Sequence, residues 1–190
     1  MPAITVSVLA VGASVGAAAV APDQQIVRFA GDGNFCSSPR CGAGGPAAKA
    51  HLDFPSGVAA DMHGNVYIAD GLNQVVWRVS AQGTISRFAG DGRHCTPRRG
   101  CGDGGPATSA RLFMPAGVAV DRAGNVYIAD SNDHEVRKVY ANGIVTRFAG
   151  TGQVCARLRG CGDGGPAFLA TMETPFGVAV DASGNVYVTD

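Results

Sequence analysis

No long amphipathic helical pattern runs through this chain, and its charge favours neither sign. Fifteen Lys and Arg balance fifteen Asp and Glu, for a formal net charge of zero. No global field therefore draws the protein onto nucleic acid or an anionic membrane, although a local patch stays compatible with that balance. The signatures of nucleotide binding are missing: there is no G-x-x-x-x-G-K-S/T and no strand-to-helix G-x-G-x-x-G unit. The G-x-S-x-G nucleophile turn and the H-E-x-x-H metal helix are absent as well. Histidine is scarce, with His51, His63, His94 and His134 at places that do not correspond to one another.

What the chain has in quantity is glycine, 28 residues of it, within a composition that is 46% hydrophobic. That combination suits short strands joined by tight turns. The strands come in echoes at a spacing of 60: Asp61 followed by Gly64-Asn65-Val66-Tyr67-Ile68-Ala69-Asp70 returns from Asp121 and again from Asp181. Self-similarity at a fixed period marks stacked units, each too small to bury its own apolar face. Within one unit four strands are expected, over 57–61, 65–69, 75–79 and 84–88. Asp-x-x-Gly-Asn makes the first turn, and Ala-Gln-Gly, or Ala141-Asn142-Gly143 in the next unit, makes the hairpin. Four antiparallel strands repeated radially is the plan of a β-propeller blade. A parallel solenoid is the alternative, but its coils are usually shorter and lack such hairpins.

Gly-Asp-Gly-Gly-Pro-Ala-x-x-Ala, then Pro-x-Gly-Val-Ala-Val-Asp-x-x-Gly-Asn-Val-Tyr-Ile-Ala-Asp, then Val-Arg-Lys-Val closely resembles the NHL repeat, in near-complete form over 102–139. The resemblance covers about 25–190 and implies an all-β, six-bladed propeller as the commonest complete form. A cysteine-bearing insertion lengthens each unit beyond the usual size. The expected organisation is an apolar signal-like or anchor segment over 1–22 and a partial propeller over 23–190. Its blades fall at about 57–89 and 117–149, with an incomplete one over 177–190. A single strand over 25–29 precedes them. Because a propeller needs at least four blades, a fragment of a longer protein is expected.

Cysteines pair at equivalent places: Cys36 with Cys41, Cys95 with Cys101, Cys155 with Cys161. Disulfides are the favoured reading, each closing a small loop with about 2 kcal/mol of stabilisation in the chain-entropy model. A zinc site would need further ligands, and only His94 lies in these loops. Bridges point outside the reducing cytosol, to a secreted, cell-surface or periplasmic setting. The uncharged run from Ile4 to Ala21, ending Ala19-Val20-Ala21, agrees with a signal segment; no Lys or Arg precedes it and Pro22 follows it, so an anchor is the other reading.

In an array, residues that recur at every period serve the scaffold, whereas a single ligand must be held by residues that break it. By that rule Asp61, Asp121 and Asp181 are expected to cap turns, and Asp70, Asp130 and Asp190 to hold the following loop. Calcium would need more converging oxygens, which the complete ring could supply. His51, Asp53 and Glu173 break the period at positions expected near the mouth of the central channel, where propellers receive ligands. Ser56, Ala116 and Phe176 at the strand entrance are poor metal ligands. In the cysteine loops, Arg40, Arg93, Arg98, Arg99, Arg157 and Arg159 are expected to share one face. Guanidinium groups suit carboxylate, phosphate or sulfate, so an acidic protein or acidic glycan is the expected partner, without nucleic acid. The function expected is an extracytoplasmic binding or scaffold module with no catalytic residue, metal or cofactor assigned. Part of a metal-dependent propeller hydrolase or lyase, lactonase-like or amidating-lyase-like, is the alternative, and an extracellular sensor of a membrane kinase is a third.

Overall fold

A computed structural model describes residues 28–34, 43–94, 100–155 and 161–190. The segment over 1–22 and most of the lone strand expected over 25–29 lie outside them. Among the described residues no helix is long and apolar enough to cross a membrane.

Among the described residues, ten strands form three antiparallel sheets. The first sheet joins β1 (Pro55–Ala60), β2 (Val66–Asp70), β3 (Val75–Val79) and β4 (Ile85–Ala89) in sequence order. The second repeats it with β5 (Pro115–Val120), β6 (Val126–Asp130), β7 (Glu135–Val139) and β8 (Val145–Ala149). The third holds β9 (Gly177–Val180) and β10 (Val186–Thr189). The expected β3 is matched to the residue, and the others shift by one or two. Asp61 is drawn out of β1 because its carboxylate caps the turn. Its Oδ1 accepts from the His63 and Asn65 amides, both at 2.9 Å, and its Oδ2 from Asn65 Nδ2 at 2.7 Å. Gly64, at φ +77°, takes the left-handed position that this turn requires. Asp121 and Asp181 repeat the cap with Asn125 and Asn185.

Thr84 also leaves the expected β4, bridging Pro46 instead. This reveals what the recurrent Gly-Gly-Pro-Ala does. Gly44 N–H donates to the Ile85 carbonyl at 2.8 Å, Ile85 N–H to the Gly45 carbonyl at 3.0 Å, and Ala47 N–H to the Gly83 carbonyl at 2.8 Å. The segment thus covers the outer edge of its own blade, with Pro46 at the place where no amide is needed. Residues 104–107 do the same along β8.

The sheets stack face to face. One core, including Tyr67, Val76, Leu112, Val118, Ile128 and Val139, lies between the first two blades. Another, with Tyr127, Val136, Met172 and Val178, lies between the second and third. Trp77, fully buried, centres a third on the far side of the first blade with Ile68 and Leu52. The innermost strands touch: an added Cβ on Gly57 would lie 2.2 Å from the Ala116 carbonyl, and one on Gly117 2.5 Å from that of Phe176. Ser56 Oγ donates across the same seam to the Ala116 carbonyl at 2.9 Å. Wedges that converge on their first strands are propeller blades, two whole and part of a third.

Candidate binding face

Strand register defines two ends of each blade. Pro115, Asp130 and Glu135 align at one end, and Val120, Val126, Val139 and Val145 at the other. The Asp-capped turns and hairpins occupy the second end. The cysteine loops are rooted at the first.

Cys155 and Cys161 are disulfide-bonded, with Cα atoms 5.7 Å apart. Cys101 is disulfide-bonded too, while Cys95, Cys36 and Cys41 lie outside the described residues. Of the six arginines expected on this face, Arg93 is described: it is exposed, and its amide donates to Asp91 Oδ1 at 2.8 Å. Arg40, Arg98, Arg99, Arg157 and Arg159 lie outside the described residues.

The three channel-mouth candidates are not bonded to one another among the described residues. His51 Nε2 pairs with Asp32 Oδ2 at 3.1 Å, at the root of the first cysteine loop. Arg111, its counterpart, pairs with Asp91 at 3.6 Å. So the period break at 51 and 111 is matched by acids standing at equivalent loop roots. Asp53 and Glu173 are fixed through their backbone amides, which donate to Asp70 Oδ1 at 2.8 Å and to Asp190 Oδ1 at 2.8 Å. Phe113, between them in the series, donates its amide to Asp130 Oδ1 at 2.7 Å, and its ring lies 5.0 Å from that of His94 in the second cysteine loop.

The recurrent strand-end acids therefore hold the segment that leads into their own blade, not only the loop that follows. Asp70 Oδ2 also accepts from Trp77 Nε1 at 2.7 Å and Asn73 Nδ2 at 2.9 Å. Burial pushes the Asp70 carboxyl up to about 6, against the pull of these three donors. Asp61 behaves oppositely: burial opposes ionisation, but bonds from Asn65, His63 and Tyr67 outweigh it and hold the carboxyl below its ordinary range. The Asp121 carboxyl is lowered in the same way. The Asp181 carboxyl is lowered too, there chiefly by the Asn185 hydrogen bonds, which burial opposes.

These shifts fix a pH dependence. Asp70 is raised in the folded state, so its proton stabilises the fold fully below about pH 4, and that stabilisation is lost as pH climbs through about 6. The caps are lowered, so their stabilisation is present above about pH 4 and lost on acidification. Urea unfolding is expected to show greatest stability near about pH 5, with Asp70→Asn removing part of the rise between about pH 7 and 5. A flat profile across that window in the parent chain would contradict the placement of Asp70.

The second blade solves the same problem with charge. Where the first has Asn73, Val75 and Trp77, the second has Asp133, Glu135 and Arg137, all buried. Arg137, wholly inaccessible, donates from Nη2 to Asp103 Oδ1 at 2.6 Å and faces Asp130 Oδ2 from Nη1 at 3.5 Å. Glu135 Oε2 accepts from the Gly100 amide at 3.3 Å, and its Oε1 faces Arg147 Nη1 at 3.5 Å. Burial raises the Asp130 and Glu135 carboxyls, Asp133 adding to the first and Arg137 opposing both. Burial draws Arg137 down, yet Asp130 and Asp103 more than offset it and leave the guanidinium firmly charged. Gly100 and Asp103 flank Cys101. The network therefore fastens the root of one cysteine loop to its blade, a device the first blade does not repeat because Ala43 stands where Asp103 does. Sequence reasoning missed it, although comparison of 133–137 with 73–77 carries the signal.

Four-stranded antiparallel wedges with Asp-capped turns, inner strands in contact and edge-covering Gly-Gly-Pro-Ala segments define an NHL-type β-propeller module. The Teneurin NHL domain profile matches residues 13–91 and 78–156, and the chain belongs to that family. It is 34% identical over 140 residues to Teneurin-3 of Danio rerio, covering 68% of this chain and 5% of that protein. Teneurin-1 of Caenorhabditis elegans is 30% identical over 135 residues, again with 67% of this chain and 5% of the relative. The chain thus spans about one twentieth of the length of these curated relatives. Among solved structures, a structural genomics protein of unknown function from Bacteroides thetaiotaomicron matches with a TM-score of 0.63 at 20% identity, over 88% of this chain and 37% of that one. An auxiliary nutrient binding protein of the same organism matches at a TM-score of 0.52 and 18% identity, over 69% and 33%. At these identities the likeness concerns the fold.

Proposed function

We propose that this propeller segment serves outside the reducing cytosol as a binding or scaffold module, and that it engages an acidic protein or acidic glycan through the face bearing the cysteine loops. The observation that carries this reading is the rooting of a loop at Gly100 and Asp103 by buried Glu135 and Arg137. A loop tied down at its base loses less conformational freedom when a partner docks. Two further features support it. The disulfide at Cys155–Cys161 and the bonded Cys101 suit an oxidising compartment, and Arg93 stands exposed beside Asp91. The scaffold residues themselves, the recurring aspartates, are consumed by turns and strand approaches and take no direct part.

The test replaces Arg98, Arg99, Arg157 and Arg159 by Ala and measures salt-dependent retention on immobilised heparin and on polyglutamate. Elution of the variant at markedly lower salt on at least one matrix is the expected outcome, because each guanidinium removed weakens a screened attraction to the anionic matrix. Unchanged retention on both, with the fold intact by circular dichroism, would refute the arginine face.

A further inference from the structure

Asn142 and Gly143 make the one Asn-Gly step in the chain, and both stand exposed in the hairpin between β7 and β8. We propose that this step is a self-modification site, where Asn142 loses its side-chain ammonia to become isoaspartate and thereby loosens the cover over the outer edge of β8.

The chemistry needs only the two residues and water. The main-chain nitrogen of Gly143, once hydroxide has taken its proton, attacks Asn142 Cγ. The Cγ–Nδ2 bond breaks, Nδ2 takes up a proton and leaves as ammonia, and a five-membered imide remains. Water then opens the ring. Addition at Cγ restores the ordinary backbone with an aspartate side chain, whereas addition at the main-chain carbonyl carbon leaves the chain running through Cβ and Cγ, with the α-carboxylate as the side group. Gly143 permits closure because it has no Cβ to crowd the attacking nitrogen.

The period breaks at this place. Gln82 occupies it in the first blade, before Gly83, and its longer side chain would have to close a six-membered ring. The other asparagines are followed by bulkier residues: Phe after Asn34, Val after Asn65, Asn125 and Asn185, Gln after Asn73 and Asp after Asn132. Asn65, Asn125 and Asn185 are also tied by their side chains to the capping aspartates. Asn142 instead accepts at Oδ1 from the Ile144 amide at 3.1 Å, which keeps its carboxamide folded back beside the turn. The guard on the reacting nitrogen is the bond from Gly143 N–H to the Tyr140 carbonyl at 2.8 Å. Ala141, Asn142 and Gly143 are all exposed, so that bond opens by fraying of the hairpin without global unfolding.

The consequence runs through the Gly143 carbonyl. It accepts from the Ala107 amide at 2.9 Å, one of the bonds by which 104–107 covers β8. Loop length sets the register of so short a hairpin. An additional backbone atom at 142 therefore displaces that carbonyl and loosens the cover, exposing part of a sheet edge. The aspartate product leaves the backbone unchanged and keeps an acceptor for the Ile144 amide.

The folded whole chain, incubated for weeks and mapped by mass spectrometry, is expected to gain about 1 Da on the peptide holding Asn142. The gain should be several times faster at about pH 8.5 than at about pH 6.5, because hydroxide removes the proton from the attacking nitrogen. Asn142→Gln, which installs the residue of the first blade, should abolish it. In the separated isoaspartate form, amide exchange at Ala107 should quicken about tenfold. Ala47, whose amide makes the same bond to Gly83 at 2.8 Å in the first blade, should stay within about twofold. Asn142→Asp should leave Ala107 slow. No mass gain in the folded chain, an equal gain in Asn142→Gln, or an isoaspartate form whose Ala107 exchanges as slowly as in the parent would each overturn the proposal.

Discussion

Gly57→Ala and Gly117→Ala are each expected to destabilise the chain by about 2–4 kcal/mol, while Gly177→Ala costs under about 1 kcal/mol, although all three glycines are equivalent in the repeat. The difference lies in what the new methyl meets. On Gly57 it would press to 2.2 Å from the Ala116 carbonyl and 2.9 Å from Gly117 Cα, and on Gly117 to 2.5 Å from the Phe176 carbonyl. Both are backbone atoms of the neighbouring inner strand, which cannot rotate aside. On Gly177 the nearest atom is Thr189 Oγ1 at 2.9 Å, the end of a side chain that can turn. Inner strands crowd because the wedges converge, so glycine sets how closely blades approach. Urea denaturation of the three variants checks the ranking. Equal costs would mean that seam contact does not decide the role of these glycines.

Arg137→Ala should cost about 3–5 kcal/mol, since it strands buried Asp130 without its cation and leaves buried Glu135 with Arg147 alone. Replacing the whole set is a different matter. Asp133→Asn, Glu135→Val and Arg137→Trp together install the solution of the first blade, where Trp77 Nε1 donates to Asp70 at 2.7 Å. That triple variant is expected to stay within about 1 kcal/mol of the parent, because apolar replacement of a buried charge network is often neutral or better. Its cost should emerge elsewhere, as loss of the anchors at Gly100 and Asp103. Faster amide exchange at those two residues, with global stability retained, is the expected signature. If Arg137→Ala unfolds no more easily than the parent, the network contributes nothing to the fold.

Much of the blade was legible in the residues. The Asp-x-x-Gly-Asn turn and the hairpin fixed four strands per unit, because both depend on local side-chain and backbone chemistry that repeats in plain view. The edge cover was not legible: Gly44 to Ala47 precedes β1 in sequence yet lies against β4, and such a contact across the blade leaves no local trace. Recurrence marks Asp70 and Asp130 as scaffold residues, but their partners at Asp53 and Phe113 are backbone amides, to which sequence is blind. Arg137 and Glu135 stand beside Lys138 in a strand where nothing local marks a charge as buried. Only the comparison with Trp77 and Val75 one period earlier distinguishes them, since substituting a tryptophan site by arginine implies burial.

The seam between inner strands is the most direct place to test the propeller arrangement itself. A nuclear Overhauser spectrum of the folded chain should show α-proton cross-peaks from Gly57 to Gly117 and from Gly117 to Gly177, alongside antiparallel contacts that order β1, β2, β3 and β4 as neighbours. Cross-peaks stacking each strand in parallel on its copy one period later, with no β2–β3 or β3–β4 contacts, would contradict it.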